Sequence, residues 1–469
     1  MRDITIWDLE RRGSDLCWDG CNLAELARQY GTPLYVANVA LLEKSHKALL
    51  GAFQAEGLEA KIFFSYKTNP VPDILRYLAA LGCGAEIISE FEFWLATRME
   101  IAGSNIVVNG SVKSKELLRC AVKRDAAAIN VESVDEIRSL QKIAVDLNRP
   151  VNVGLRINPC LAISRFDFTL TTGSRKSHIG FAPQSRDWKE ALRILHDESR
   201  LKLRGLHFHI GTGVRAARPY LLALETALKM WSELLEEGFT PSILDIGGGF
   251  STPTLKEFSL LDAIRFFGWG KPPRQPAGRE QGVLLKEVAR ACSSTLRGFV
   301  RERRIAMPDI YVEPGRALVS SSHALLLKVI AVRRRTCGVE VAVCDAGAMS
   351  LSPQLLSEHH TVLVANKADG GPTARYDLVG NLPAPLDLIG LHQELPVLEA
   401  GDVLAVMDVG AYFTSLGNNF AGPRPALVMI EKGVPRLARR RESFEDMVSR
   451  DVSMPSAENA VGRQGDGRA

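Results

Sequence analysis

Lys67 closes a β-rich run, Phe-Phe-Ser-Tyr-Lys-Thr-Asn, with a primary amine that could form a Schiff base with an aldehyde cofactor. His209 closes another run, in His-Phe-His-Ile-Gly-Thr-Gly, and offers a flat imidazole able to stack on an aromatic ring. Gly247, Gly248 and Gly249 follow the apolar stretch Ser-Ile-Leu-Asp-Ile, and exposed backbone amides at glycines can hold a phosphate. Glu313 and Arg316 lie in Val-Glu-Pro-Gly-Arg. A carboxylate facing a pyridine nitrogen keeps that nitrogen protonated and makes the ring an electron sink, while an arginine complements a phosphate. Each feature has an ordinary reading of its own: a solvated lysine, a structural histidine, a glycine turn. Together they compose one chemical device.

The elements that must position these groups are legible as alternation. Between residues 60 and 316, β-rich runs at 61–68, 84–89, 105–110, 127–133, 151–158, 203–210, 242–248 and 309–316 are separated by amphipathic stretches such as Ser-Val-Asp-Glu-Ile-Arg-Ser-Leu-Gln-Lys-Ile-Ala-Val-Asp-Leu-Asn. Strand–helix alternation implies parallel strands joined by helical crossovers, and eight runs fit an eight-stranded α/β barrel. In such barrels functional groups sit at the C-terminal strand ends, where Lys67, His209, the glycines and Glu313 all fall. After Arg316 the pattern becomes β runs separated by turns. The expected architecture is α/β: a TIM-type barrel over 40–316 and a second, mostly β domain from 1–39 and 317–441. Segment 251–282, rich in Gly, Pro and charge, reads as an insertion or lid, and 442–469 as a disordered tail.

Composition narrows the function classes. The 469 residues are 46% hydrophobic and 24% charged with a net charge of +4, so a large core is available and no nucleic-acid footprint is expected. No apolar run is long enough to cross a membrane, and the N-terminus lacks a secretion signal, so a cytoplasmic protein is expected. The eight cysteines are irregularly spaced, which suggests neither a disulfide framework nor a metal site.

The ordered series of motifs over residues 30–435 resembles the fold-type III enzymes that use pyridoxal 5′-phosphate (PLP), especially the diaminopimelate and ornithine decarboxylases. Tyr-Lys-Thr-Asn-Pro resembles the cofactor-lysine motif, which makes Lys67 the Schiff-base residue. Gly-Ala-Glu-Ile-Ile-Ser is similar to a strand placing an acid, here Glu86, near the cofactor, and Leu-Arg-Ile-Asn-Pro matches another family strand through Arg156. His-Ile-Gly-Thr-Gly resembles the ring-stacking motif, implying His209 on the ring and Thr212 near the phosphate. The resemblance assigns Gly247, Gly248 and Gly249 to the phosphate, Glu313 to the pyridine nitrogen and Arg316 to the phosphate region. Asp-Val-Gly-Ala-Tyr resembles the late motif whose tyrosine, Tyr412, reaches the phosphate. It implies a PLP-dependent decarboxylase acting on a small-molecule amino acid, with Lys67, His209 and Glu313 catalytic, in a homodimer that shares its active sites.

The likeness breaks at the substrate. The family's Gly-x-x-Cys-x-Ser-x-Asp frame is present at 380–387, with Pro383 where the proton-controlling cysteine belongs. Ser352 stands where diaminopimelate decarboxylases carry an arginine for the distal carboxylate, and Ser177-His178-Ile179-Gly180 alters a third motif. The expected substrate is therefore an amino acid other than diaminopimelate, free, modified or carrier-bound, with reprotonation from Lys67, His209 or Cys344. Racemisation or elimination on the same scaffold, with Lys67 as the base, and a non-catalytic regulatory role remain as alternatives.

Overall fold

The computed structural model describes residues 3–162, 172–252, 254–269, 271, 281–334 and 339–452. Eight strands close into a parallel barrel: β1 (Ala60–Ser65), β2 (Gly84–Ile87), β3 (Ile106–Val108), β4 (Ala128–Val131), β5 (Val151–Arg156), β6 (Leu201–His207), β7 (Ile243–Asp245) and β8 (Asp309–Val312). Each pairs in parallel with its sequence neighbours, and β8 closes on β1 with Tyr311 opposite Lys61. All eight expected runs supply barrel strands.

The crossover helices start where the sequence signals it. Ser89, Ser114, Ser133 and Ser185 each precede a helix, and each hydroxyl accepts the amide of the third helical residue, which would otherwise have no partner. Asn148 in the left-handed conformation ends the helix Val134–Leu147.

Side-chain alternation sorts the barrel interior into layers. Phe63, Val107, Ile243 and Tyr311 form an apolar plug of buried residues, with the Phe63 and Tyr311 ring centroids 4.6 Å apart. Two residues further along the same strands, on the same inward face, stand Ser65, Asn109, Asp245 and Glu313. The plug is therefore the floor of a polar layer at the C-terminal mouth.

The second sheet joins Leu388–Pro396, Thr373–Val379, Glu340–Cys344, His323–Arg334, Leu34–Asn38, Ala426–Glu431 and Val434–Arg439 in that spatial order, with Val403–Met407 pairing His323–Arg334 as well. Leu34–Asn38 lies between strands more than 280 residues away, so the N-terminal part of the chain is built into this sheet. In the stretch expected as an insertion or lid, Lys256–Glu257 pairs with Glu358–His359 and ties the barrel to the β domain. Residues 253, 270 and 272–280 of it lie outside the described residues. The expected tail does not begin unstructured at 442. Ser443 caps a short helix, Phe444–Val448, through a reciprocal capping box with Asp446, and residues beyond 452 lie outside the description.

Candidate active site

The residues that the resemblance assigns to the cofactor lie at the barrel mouth or on loops reaching it. Lys67 sits on a single 3-10 turn, Tyr66–Thr68, directly after β1. Its Nζ donates to Glu86 Oε2 at 2.9 Å, and its side chain stays 38% accessible while Glu86 is sealed. Burial would lower the Lys67 pKa, but the Glu86 carboxylate, Tyr412 and Glu313 reverse this and hold it above the ordinary lysine value.

Glu86 is fixed from three sides, by Lys67, by the Ser65 hydroxyl and by Asn109 Nδ2 at 3.0 Å. The same Asn109 amide donates to Glu313 Oε1 at 2.7 Å, and its oxygen accepts from Asn130 Nδ2 at 2.8 Å. Asn109 thus bridges two buried carboxylates. On its other side Glu313 meets His207 Nε2 at 3.2 Å. Burial would raise the Glu313 pKa, yet His207 and the hydrogen bonds from Asp245 and Asn109 hold it below the usual carboxylate range. Asp245 moves the other way. Burial first, then the Glu313 charge, push its carboxyl well above normal, so Asp245 keeps a proton and Glu313 keeps a charge. His207, Asp245 and Glu313 place their ligand-type atoms within 4.8 Å of one another, a set that could also suit a cation. The proton on Asp245 and the His207–Glu313 hydrogen bond already compensate the charge there.

His209 is held as a neutral imidazole, because burial, then Arg156 and Lys67, lower its pKa to about 3. Its Nδ1 accepts the Gly248 amide at 3.2 Å, which leaves the ring proton on Nε2. Arg156 donates to Glu132 Oε1 at 2.6 Å at the end of β5, and so is committed to a structural partner. The glycine turn is dictated by crowding. Gly247 has φ of 65°, and a Cβ on Gly248 would overlap the Glu313 carbonyl oxygen.

Arg316 pairs with Glu358 through Nη1 and with Glu257 Oε1 through Nη2 at 3.2 Å, and its Nε reaches Thr212 Oγ1 at 3.3 Å. Its guanidinium also stacks 4.9 Å from the Tyr412 ring centre. Tyr412, at φ of 67°, donates its amide to Thr68 O at 2.8 Å and so lies against the Lys67 turn.

The substrate-motif departures have local structural explanations. Ser352 is buried, caps the turn Pro353–Leu356, and donates to Tyr412 O at 3.3 Å. Loop 380–387 is closed by the buried Asp387, whose carboxylate accepts the amides of Met349 and Leu382, each at 3.0 Å, while Pro383 is exposed. Cys344 is sealed in the core of the β domain, where burial raises its thiol pKa, so it is not placed to exchange protons at the mouth.

The sequence from 39 to 320 matches the family model for the pyridoxal-binding domain of the pyridoxal-dependent decarboxylases. The chain belongs to this family. It is 29% identical over 444 residues to a diaminopimelate decarboxylase of Methanocaldococcus jannaschii, covering 93% of this chain and 95% of that protein. It is 30% identical over 451 residues to one from Actinosynnema pretiosum, covering 95% of each. The solved diaminopimelate decarboxylase from M. jannaschii superposes with a TM-score of 0.84 at 28% identity, covering 95% of this chain and 98% of that one. This decarboxylase uses PLP and acts on an amino acid. Its donor set fits that cofactor: an amine for the aldehyde, an ionised buried carboxylate for the ring nitrogen, a neutral imidazole for the ring face, and a hydroxyl and an arginine for a phosphate; the Gly247 and Gly248 amides, expected to hold the phosphate, instead donate to Asp245 Oδ1 at 2.9 Å and His209 Nδ1 at 3.2 Å.

Asn109, His207, Asp245, Glu257 and Glu358 were missed by sequence reasoning. Asn109 and Asp245 stand two residues after an apolar plug residue, and His207 two before His209, so strand alternation could have found them. Glu257 and Glu358 carry no such signal, because a strand pairing brings them together across 101 residues of sequence.

Proposed function

We propose that the decarboxylase joins PLP to Lys67 and removes the α-carboxylate of an amino acid whose distal end is not recognised as diaminopimelate's would be. The observation that supports this most is the line Lys67–Glu86–Asn109–Glu313–His207, which sets an amine and an ionised, buried carboxylate on opposite sides of one mouth. Bound there, PLP supplies an electron-withdrawing ring that takes up the electron pair left when the substrate's carboxylate departs as CO₂. Glu313 holds a proton at the ring nitrogen through its retained charge. His209 would present a neutral imidazole to the ring. Glu86 orients the Lys67 amine and keeps it protonated when it is released. Loss of CO₂ leaves a pair of electrons at Cα that must receive a proton. Pro383 has none to give, and the neutral His209 has no acidic proton, so the Lys67 ammonium delivers it.

Ser352 supports a substrate other than diaminopimelate, since its short hydroxyl is spent on a turn. A second reading, diaminopimelate itself, is favoured by the names of the similar relatives. A homodimer is supported by the exposed apolar Leu386, Leu416 and Phe420 on the segments that follow Pro383 and Tyr412. A carrier-presented substrate stands as a variant of the same reading. The test is CO₂ release by PLP-loaded protein across α-amino acids with anionic, neutral and cationic distal ends, meso-diaminopimelate included. Release from a substrate other than diaminopimelate supports the proposal. Release from diaminopimelate alone establishes the second reading, and consumption without CO₂ moves the chemistry to racemisation or elimination.

A further inference from the structure

Asn69 stands two residues after Lys67 and is wholly buried, yet its side chain leaves no hydrogen-bonding group idle. Its Nδ2 donates to Gly410 O at 3.0 Å and lies 3.3 Å from His323 Nε2. Its Oδ1 accepts the Val71 amide at 3.3 Å and the Thr414 hydroxyl at 3.1 Å. A side-chain amide has two donors and two acceptor sites, and here all four are used. Three of the four reach the β domain: Gly410 and Thr414 flank Tyr412, and His323 opens the long strand His323–Arg334.

His323 can fill this place in one tautomer only. Its Nδ1 lies 3.0 Å from the Val319 carbonyl, which only accepts, and 2.9 Å from the Ser322 hydroxyl, which already donates to that carbonyl. The ring proton therefore sits on Nδ1, and Nε2 offers a lone pair to Asn69. Burial lowers the His323 pKa to about 4, which keeps the ring neutral and the lone pair available. Gly410 is pressed against the same turn, since a Cβ on it would overlap the Val319 carbonyl oxygen.

Segment 410–414 is thereby tied to the Lys67 turn at three points: Gly410 O to Asn69, the Tyr412 amide to Thr68 O at 2.8 Å, and Thr414 to Asn69. Between them Tyr412 has φ of 67°. Tyrosine rarely adopts this left-handed backbone, so the bonds on either side must hold it there. The Arg316 guanidinium lies 4.9 Å from the Tyr412 ring centre, so the place of that ring also bears on the arginine.

We propose that Asn69 and His323 are positioning residues that act as one clamp across the two domains, setting Tyr412 and Arg316, at the phosphate end of the cofactor site, at a fixed reach from the Lys67 amine. The inference rests on the assignment of the cofactor to Lys67 and deepens it. Such a clamp matters to a ligand with both ends, an aldehyde for Lys67 and a phosphate for Tyr412 and Arg316. A ligand with the aldehyde alone needs no set reach.

The test compares the affinity of the full-length protein, stripped of cofactor, for PLP and for pyridoxal, which has the same ring and aldehyde and no phosphate. Both are followed by absorbance titration. Asn69→Ala removes the amide, and His323→Leu keeps the bulk of the ring and removes only its acceptor. Each is expected to lower the PLP-to-pyridoxal affinity ratio about tenfold, with pyridoxal affinity within threefold of wild type. The double variant should fall no further than the worse single one, because both act through the same amide. His323→Gln, whose side-chain oxygen can accept from Asn69, should restore most of the ratio. If Asn69→Ala does not fold, the two His323 variants decide the question by themselves. A loss shared equally by PLP and pyridoxal overturns the inference and makes the pair a support of the fold alone. Folded variants with a ratio within threefold of wild type overturn it as well. Borohydride that fixes no pyridoxyl group on wild-type Lys67 instead sinks the cofactor assignment on which the inference rests.

Discussion

Replacing Glu313 by glutamine keeps the side chain's shape and removes its charge at the position where the account needs it. Glu313 is 5% exposed and accepts from Asn109 at 2.7 Å and from His207 at 3.2 Å. A glutamine has one oxygen for these two donors, and its own NH₂ must face one of them. A lost hydrogen bond to a charged group costs about 1.5–3 kcal/mol. Two full charges about 3 Å apart attract by about 5 kcal/mol at an effective dielectric near 20. A loss of about 3–4 kcal/mol at the reacting ring corresponds to roughly 10²–10³ in rate. Glu313→Gln is thus expected to lower kcat about 10²–10³-fold while the cofactor's visible absorbance persists, since Lys67 and Glu86 are untouched. Stopped CO₂-release assays at saturating substrate, with cofactor content read from the same sample, make the comparison. A folded, PLP-loaded variant with kcat within threefold of wild type would refute the role of Glu313 as the charge that holds the ring proton.

Three further outcomes follow from the same geometry. Gly248→Ala should lose at least tenfold in activity and about 1–3 kcal/mol in stability, because its Cβ must push against the Glu313 carbonyl; denaturant melts and turnover measure both, and an unchanged variant would show the turn to be looser than described. Glu92, whose Oε2 accepts the Ile88 amide at 2.6 Å, has its pKa raised to about 7, chiefly by burial. The folded state then binds more protons than the unfolded state between pH 4.5 and about 7, so stability falls as pH rises through that window, by at most about 3 kcal/mol. Glu92→Gln should flatten that slope in melts taken at pH 5 and pH 8, and an equal slope in both proteins would contradict the shift. Asn109→Ala, which leaves two buried carboxylates without their bridge, is expected to cost about 2 kcal/mol and to lower turnover more than tenfold; full activity would remove Asn109 from the positioning network.

The barrel was legible because each of its strands is short, β-rich and bounded by an amphipathic crossover, and parallel closure follows from that order. Lys67, His209 and Glu313 were legible because they sit at strand ends inside local motifs. What escaped was non-local. Glu257 and Glu358 meet only through a pairing 101 residues apart, and nothing near Arg316 in sequence announces that both carboxylates engage it. Asp387 sits in a familiar frame, yet its carboxylate is turned inward to close its own loop. Whether a conserved-looking acid faces a ligand or a backbone amide depends on backbone direction, which a motif does not carry.

The central claim is that Lys67 carries the cofactor. Borohydride reduction of PLP-loaded protein, followed by proteolysis and mass mapping, tests it most directly. The reduced pyridoxyl mass is expected on the peptide containing Lys67 and is expected to be absent in Lys67→Ala, with loss of CO₂ release in that variant. A label on another lysine, or a Lys67→Ala protein that retains both the covalent label and turnover, would contradict it.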